Sequence, residues 1–182
     1  DRAWVNANHP LTTAKEPDKA TAFDTLVFGD SREAALAKLK ASKFVQMTTD
    51  ETFVGRSGLN GIFRTRHKIG TLTATLYFDW TESDTLKEIT LQTDLLPANA
   101  YKSELEPSWK EFAELLDTLH GKPVQKGPFP AMESLPNGSF SPSHLWKLDG
   151  YGSALLGTAR DGAKYQVVVR FTQKMIKPVE IP

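Results

Sequence analysis

The sequence contains no cysteine. That excludes a disulfide framework, a thiol nucleophile, an iron–sulfur centre and a zinc site built on thiolates. It also lacks an excess of either charge: Lys plus Arg and Asp plus Glu number 22 each, for a formal net charge of zero. No global field therefore draws the chain to nucleic acid or to an anionic membrane. No apolar run approaches the ~18–20 residues needed to cross a bilayer as a helix. The glycine signatures of phosphate loops, dinucleotide folds and nucleophile elbows are absent, and His9, His67, His120 and His144 form no paired metal-binding spacing. No cofactor and no metal are expected.

What is present fits an ordinary globular protein. Apolar residues make up 40% and charged residues 24% of 182 residues, a length that buries about 70% of the surface its unfolded chain exposes. The chain begins Asp1-Arg2-Ala3-Trp4 without an initiator Met, the form expected of an exported chain after removal of a leader or of a trimmed one. Export, with any lipid anchor lying upstream, is the expectation.

Residues 1–22 are polar, carry Pro10 and Pro17 and show no sustained period, so they read as an extended arm on which Trp4 and Leu11 are the docking candidates. A short strand-like run follows at Phe23–Gly29. Asp30 with Glu33 three residues on has the form of a capping box and predicts a short amphipathic helix beginning at Asp30 or Ser31 and fading near Ser42. An extended segment is predicted over Phe44–Val54, a turn through Gly55, Gly58, Asn60 and Gly61, and a strand over Ile62–Ile69. Leu72, Ala74, Leu76, Phe78 and Trp80 then alternate with polar residues, the period of a half-buried antiparallel strand. Leu86–Thr93 returns with Ile89 and Leu91 inward.

The second half repeats this order. Ser108 and Glu111 predict a capped helix with Trp109, Phe112, Ala113, Leu116 and Leu119 as its stripe and Gly121 and Pro123 as its stop. A Pro- and Gly-rich stretch at 124–143 predicts an irregular excursion. Strands are predicted at His144–Leu148, Ala154–Arg160 and Tyr165–Phe171, the last two joined by Asp161-Gly162, a strong hairpin signal. The expected class is α+β, two successive units each of a short helix packed on an antiparallel sheet: an arm at 1–22, a first unit at 23–96 and a second at 97–182. Internal duplication would match Asp30 with Ser108 as caps and Phe78 with Phe171 as inward strand residues.

The run Val27-Phe28-Gly29-Asp30-Ser31-Arg32-Glu33-Ala34-Ala35-Leu36-Ala37-Lys38-Leu39, with Leu76-Tyr77-Phe78-Asp79-Trp80 and Leu86-Lys87-Glu88-Ile89-Thr90-Leu91 later, resembles the SmpA/OmlA-type small lipoprotein unit. Tandem use of such units resembles the β-lactamase inhibitor protein fold. The resemblance covers about half the chain by residues, and the second half by element order. It implies an exported, non-enzymatic protein that binds other proteins with a concave sheet surface. The Gly55–Gly61 turn region and the 124–143 excursion depart from the usual unit.

Two candidate surfaces follow from the residues. Arg64, Arg66 and Lys68 alternate with Phe63, Thr65 and His67 and would form one basic stripe on a strand. Acidic residues Asp79, Glu82, Asp84, Glu88 and Asp94 lie just beyond, and cross-strand ion pairs are the plainer use of both groups. Tyr77, Phe140, Trp146 and Tyr151 are the aromatic candidates, as binding anchors or as core. Trp80 and Trp109 are expected in the core. The leading functional expectation is a protein- or peptide-binding module working outside the cytoplasm, with no nucleic acid and no transmembrane segment. The alternatives are a hydrolase with an Asp/Glu/His site assembled by the fold, and a structural component of an envelope assembly.

Overall fold

The computed structural model describes residues 21–48 and 58–178. Residues 1–20 of the predicted arm, with Trp4, Leu11 and His9, lie outside the described residues, as do Val54, Gly55 and Arg56, and the arm's last two residues, Thr21 and Ala22, belong instead to the first strand. Thr21–Phe23 (β1) and Leu26–Val27 (β2) make a small hairpin whose turn holds Asp24 at φ +55°. The first helix, α1, spans Arg32–Ala41 and packs Ala35 and Leu39 inward. Its N-cap is Ser31, whose hydroxyl accepts the Ala34 N–H at 3.1 Å. Asp30 was the expected cap, but its carboxylate accepts the Val27 N–H and pairs with Lys38 at 2.9 Å instead. It therefore ties the hairpin to the helix.

The strands that follow are Val45–Met47 (β3), Phe63–Thr65 (β4), Ala74–Trp80 (β5), Leu86–Thr93 (β6) and Leu96–Pro97 (β7). β4 is shorter than the Ile62–Ile69 predicted for it. A π-helical turn at Tyr101–Leu105 leads directly into α2, Glu106–His120. The predicted cap at Ser108 is therefore corrected: the helix is already under way there. Ser108 is fully buried, and its hydroxyl donates to the Ile69 carbonyl at 2.7 Å. The predicted stripe is sound at Trp109, Phe112 and Leu116, with Leu115 added and Ala113 and Leu119 only partly covered. Gly121, at φ +80°, ends the helix as expected.

Gln125–Lys126 (β8), Phe140–Lys147 (β9), Ser153–Asp161 (β10) and Lys164–Thr172 (β11) complete the described chain. The excursion at 124–143 is thus partly regular, because β9 begins at Phe140 and runs through Pro142. The hairpin at Asp161-Gly162 forms in register, Asp161 opposite Lys164.

Among the described residues one antiparallel sheet of nine strands has the order β3-β4-β5-β6-β11-β10-β9-β8, with β7 also paired to β11. Both helices contribute to a core on one face of it. Leu39 of α1 and Trp109, Phe112 and Leu116 of α2 join Leu76, Phe78, Ile89, Leu91, Val169, Phe171 and Leu156 there. Burial of such side chains is the main driving force of folding, at about 25 cal/mol per Å² of apolar surface. The architecture is α+β, mostly antiparallel sheet, with one long and one short helix.

Candidate functional site

Side chains alternate across a strand, so register assigns every strand residue to the helix-covered face or to the far face. Three cross-strand rows make up the far face. Arg64, Thr75, Gln92, Val168, Gly157 and Pro142 form one; Tyr77, Thr90, Arg170, Leu155 and Leu145 the next; and Asp79, Glu88, Thr172, Ser153 and Lys147 the third. Leu145, Leu155 and Val168 are buried on this face, apart from the main core. Tyr77, Thr75, Thr90 and Gln92 are half-buried. The half of the face on β5 and β6 is therefore a mixed polar and aromatic surface.

At its centre Arg170 and Glu88 sit side by side, Nε to Oε1 at 3.5 Å, with roughly a quarter to a third of each side chain exposed. The Thr172 hydroxyl donates to the other Glu88 oxygen at 3.1 Å. Arg170 Nε is buried yet makes no hydrogen bond, since 3.5 Å is a charge contact rather than a bond. A buried donor left this way costs free energy that a better-placed acceptor would recover. Arg64 is already engaged: it donates to both Asp94 oxygens at 2.9 Å and to the Thr73 hydroxyl at 2.8 Å.

The seven sequence candidates separate accordingly. Arg64 and Tyr77 lie on the far face, in neighbouring rows. Phe140 joins them there rather than standing in a loop, since it pairs with Ala159 across β9 and β10 and is half-buried. Arg66 and Lys68 are exposed but lie past the end of β4, so the basic stripe is interrupted after Arg64. Tyr151 is exposed in the turn between β9 and β10. Trp146 is fully buried on the helix-covered face, where its indole N–H donates to Asp117 at 3.1 Å, so it is a core residue and no surface anchor.

The expected ion pairing of the basic and acidic segments occurs at Arg64–Asp94. Asp84 pairs with Arg32 and Asp79 with Lys87. Trp109 is buried as expected, whereas Trp80 is half-buried, with Arg32 over its ring and its N–H given to the Gly58 carbonyl at 2.9 Å. Sequence reasoning singled out neither Arg170 nor Thr172 and named Glu88 only among the acidic residues expected to form cross-strand ion pairs; the three come together because β6 pairs with β11 across some eighty residues of chain. The alternation of Gln166, Val168 and Arg170 opposite Val167, Val169 and Phe171 was the available signal.

Among the described residues no group of three or more His, Cys, Asp or Glu could hold a metal ion, and no helix is long and apolar enough to cross a membrane. No family model, curated protein or solved structure matches the chain.

Proposed function

We propose that this chain is a non-enzymatic protein-binding module that works outside the cytoplasm and presents the far face of β4–β6 and β11 to a protein partner. The observation that carries the reading is the row Tyr77–Thr90–Arg170 with Glu88 beside it. An aromatic ring and a half-buried charge pair share one sheet face, with a buried guanidinium N–H of Arg170 that lacks an acceptor beneath them. Tyr and Arg at the centre of a patch are the residue types that dominate binding energy once they are packed and desolvated. The location outside the cytoplasm rests on the resemblance to small lipoprotein units.

The finer architecture belongs to the same proposal: two tandem units, the first at 23–96 and the second at 97–182, each a helix followed by strands. The strand order supports it, because the last long strands of the two halves, β6 and β11, pair at the middle and each half runs outward from them in reverse chain order, the short β7 at the boundary aside. In this reading β6 is the counterpart of β11. The counterpart of Phe171 then lies on β6 and not at Phe78 on β5, and neither Asp30 nor Ser108 is a helix cap to be matched.

Site-specific photo-crosslinking in the native cells tests the binding role. A photoreactive residue at Thr90 is expected to capture one discrete partner, and one at Lys110, exposed on α2, is not. The Thr90 adduct is expected to disappear with Tyr77→Ala and Arg170→Ala together while the thermal midpoint is retained. Equal capture from both positions, or none from Thr90, overturns the reading.

A further inference from the structure

A second polar constellation lies within the helix-covered core, where α2 meets β9. His144 is 3% exposed and lies between two indoles. It stacks on Trp146 with ring centroids 5.3 Å apart and planes 14° from parallel, and meets Trp109 edge-on at 5.5 Å. Both indoles bridge helix to strand: Trp109 of α2 donates to the Ser143 hydroxyl at 2.9 Å, and Trp146 of β9 donates to Asp117 of α2 at 3.1 Å.

Ser143 fixes the state of the imidazole. Its hydroxyl has one proton, given to the Leu156 carbonyl at 3.2 Å, and it accepts from Trp109. The contact to His144 Nδ1 at 2.9 Å therefore has Nδ1–H as donor. A neutral imidazole in this arrangement keeps its lone pair on Nε2, so an added proton would go there and create a cation between two indoles. The charged groups that face the ring are Asp117 of α2, which favours the cation, and Lys126, which is His144's partner on β8 and opposes it. Stacking on the Trp146 ring favours it modestly. Loss of water is the largest influence and holds the imidazole below its ordinary value.

We infer that the His144 box is an acid-sensitive latch: uptake of one proton by His144 loosens α2 from β9. The sign follows from linkage. The folded state holds this proton more weakly than the unfolded state, so the latch is fully closed above the unfolded value of about 6.5. Stability is lost as pH falls from there through the lower folded value. The consequence is local because the box joins one helix to one strand, and the β10–β11 ladder takes no part in it beyond the Leu156 carbonyl.

Amide hydrogen exchange on the whole chain at pH 7.5 and 5.0, corrected for the intrinsic pH dependence, tests this. In the wild type, protection over residues 106–120 is expected to fall at pH 5.0 relative to that of β10 and β11. With His144→Phe, which keeps an aromatic ring without a titrating nitrogen, that relative loss is expected to vanish. The Asp117→Asn variant keeps an acceptor for Trp146 but removes the attracting charge, which lowers the folded value further, so the loss at pH 5.0 is expected to be at least as large as in the wild type. If His144→Phe does not fold, the proton resonance of His144 in the wild type decides: a midpoint at or above 6.5 overturns the latch. An equal loss in wild type and His144→Phe, or a loss spread evenly over the sheet, overturns it as well.

Discussion

Gly70 closes the turn before β5 at φ +71°, and it does so against the first turn of α2. A Cβ placed there would lie 2.7 Å from Ser108 Cα and 2.8 Å from the Pro107 carbonyl oxygen. Both neighbours are backbone, so no side-chain rotation relieves the contact. Gly70→Ala therefore carries two costs. The left-handed conformation costs roughly 1–2 kcal/mol for a residue with a Cβ. Forcing an atom into a packed backbone contact costs about 1–3 kcal/mol more. The sum is roughly 2–5 kcal/mol, which at about 2–4 °C per kcal/mol for a chain of this size lowers the melting temperature by about 4–20 °C.

Urea unfolding followed by tryptophan fluorescence, with the m value checked against the wild type, measures the loss. Gly70→Asn separates the two costs, since Asn tolerates the left-handed region but brings the same Cβ. It is expected to keep at least half of the destabilisation. An Asn variant at the wild-type midpoint, or an Ala variant within about 0.5 kcal/mol of wild type, refutes the argument that the close approach demands glycine.

Three further outcomes follow from single side chains. Ser31→Ala removes the N-cap acceptor of Ala34 N–H and is expected to cost about 1 kcal/mol in the urea midpoint, whereas Ser31→Asp restores it. Ser108→Ala leaves the Ile69 carbonyl without its donor in a fully buried place and is expected to cost roughly 1–3 kcal/mol; no change in midpoint would mean the bond is not formed in solution. Asp24 accepts the Ser42 hydroxyl at 2.8 Å, but burial raises its carboxyl above the ordinary value. The folded state thus binds this proton more tightly, so the ionised carboxylate opposes folding at neutral pH and the penalty is relieved as pH falls through the raised value toward 3.8. Asp24→Asn keeps an acceptor and suits φ +55°, so its melting temperature is expected to exceed the wild type at pH 7 and to converge with it below pH 4. A lower melting temperature at pH 7 contradicts this.

The elements with strong local signals were readable before the fold. β5 and β6 follow from alternation, the end of α2 from Gly121, and the β10–β11 hairpin from Asp161-Gly162. Helix starts were less legible because capping spacings occur inside helices too. Ser108-x-x-Glu111 satisfies the capping pattern, yet Pro107 suits the first turn of a helix that had already begun at the preceding π-helical turn. The Arg170–Glu88 pair was only half legible: alternation puts Arg170 on the face opposite Phe171, but nothing local in residues 86–93 specifies that their partner is 164–172.

The aromatic candidates show how one inserted residue changes a surface. Under strict period two, Phe140, His144 and Trp146 share a parity and would lie on one face of β9. The register shifts between Leu156 and Gly157, with Pro142 opposite Gly157 and His144 opposite Leu156, so Ser143 is the extra residue of a bulge. Beyond it the parity inverts: Phe140 goes to the far face and Trp146 into the core. Gly157 permits this, because a Cβ there would sit 2.5 Å from the Phe140 ring. The same bulge turns the Ser143 hydroxyl toward Trp109 and His144 Nδ1, so one irregularity both supplies the far face with an aromatic and builds the buried histidine box. Deleting Ser143 is therefore expected to lose both together, and a variant lacking it that kept the wild-type midpoint and α2 protection would show that the bulge is not what organises β9.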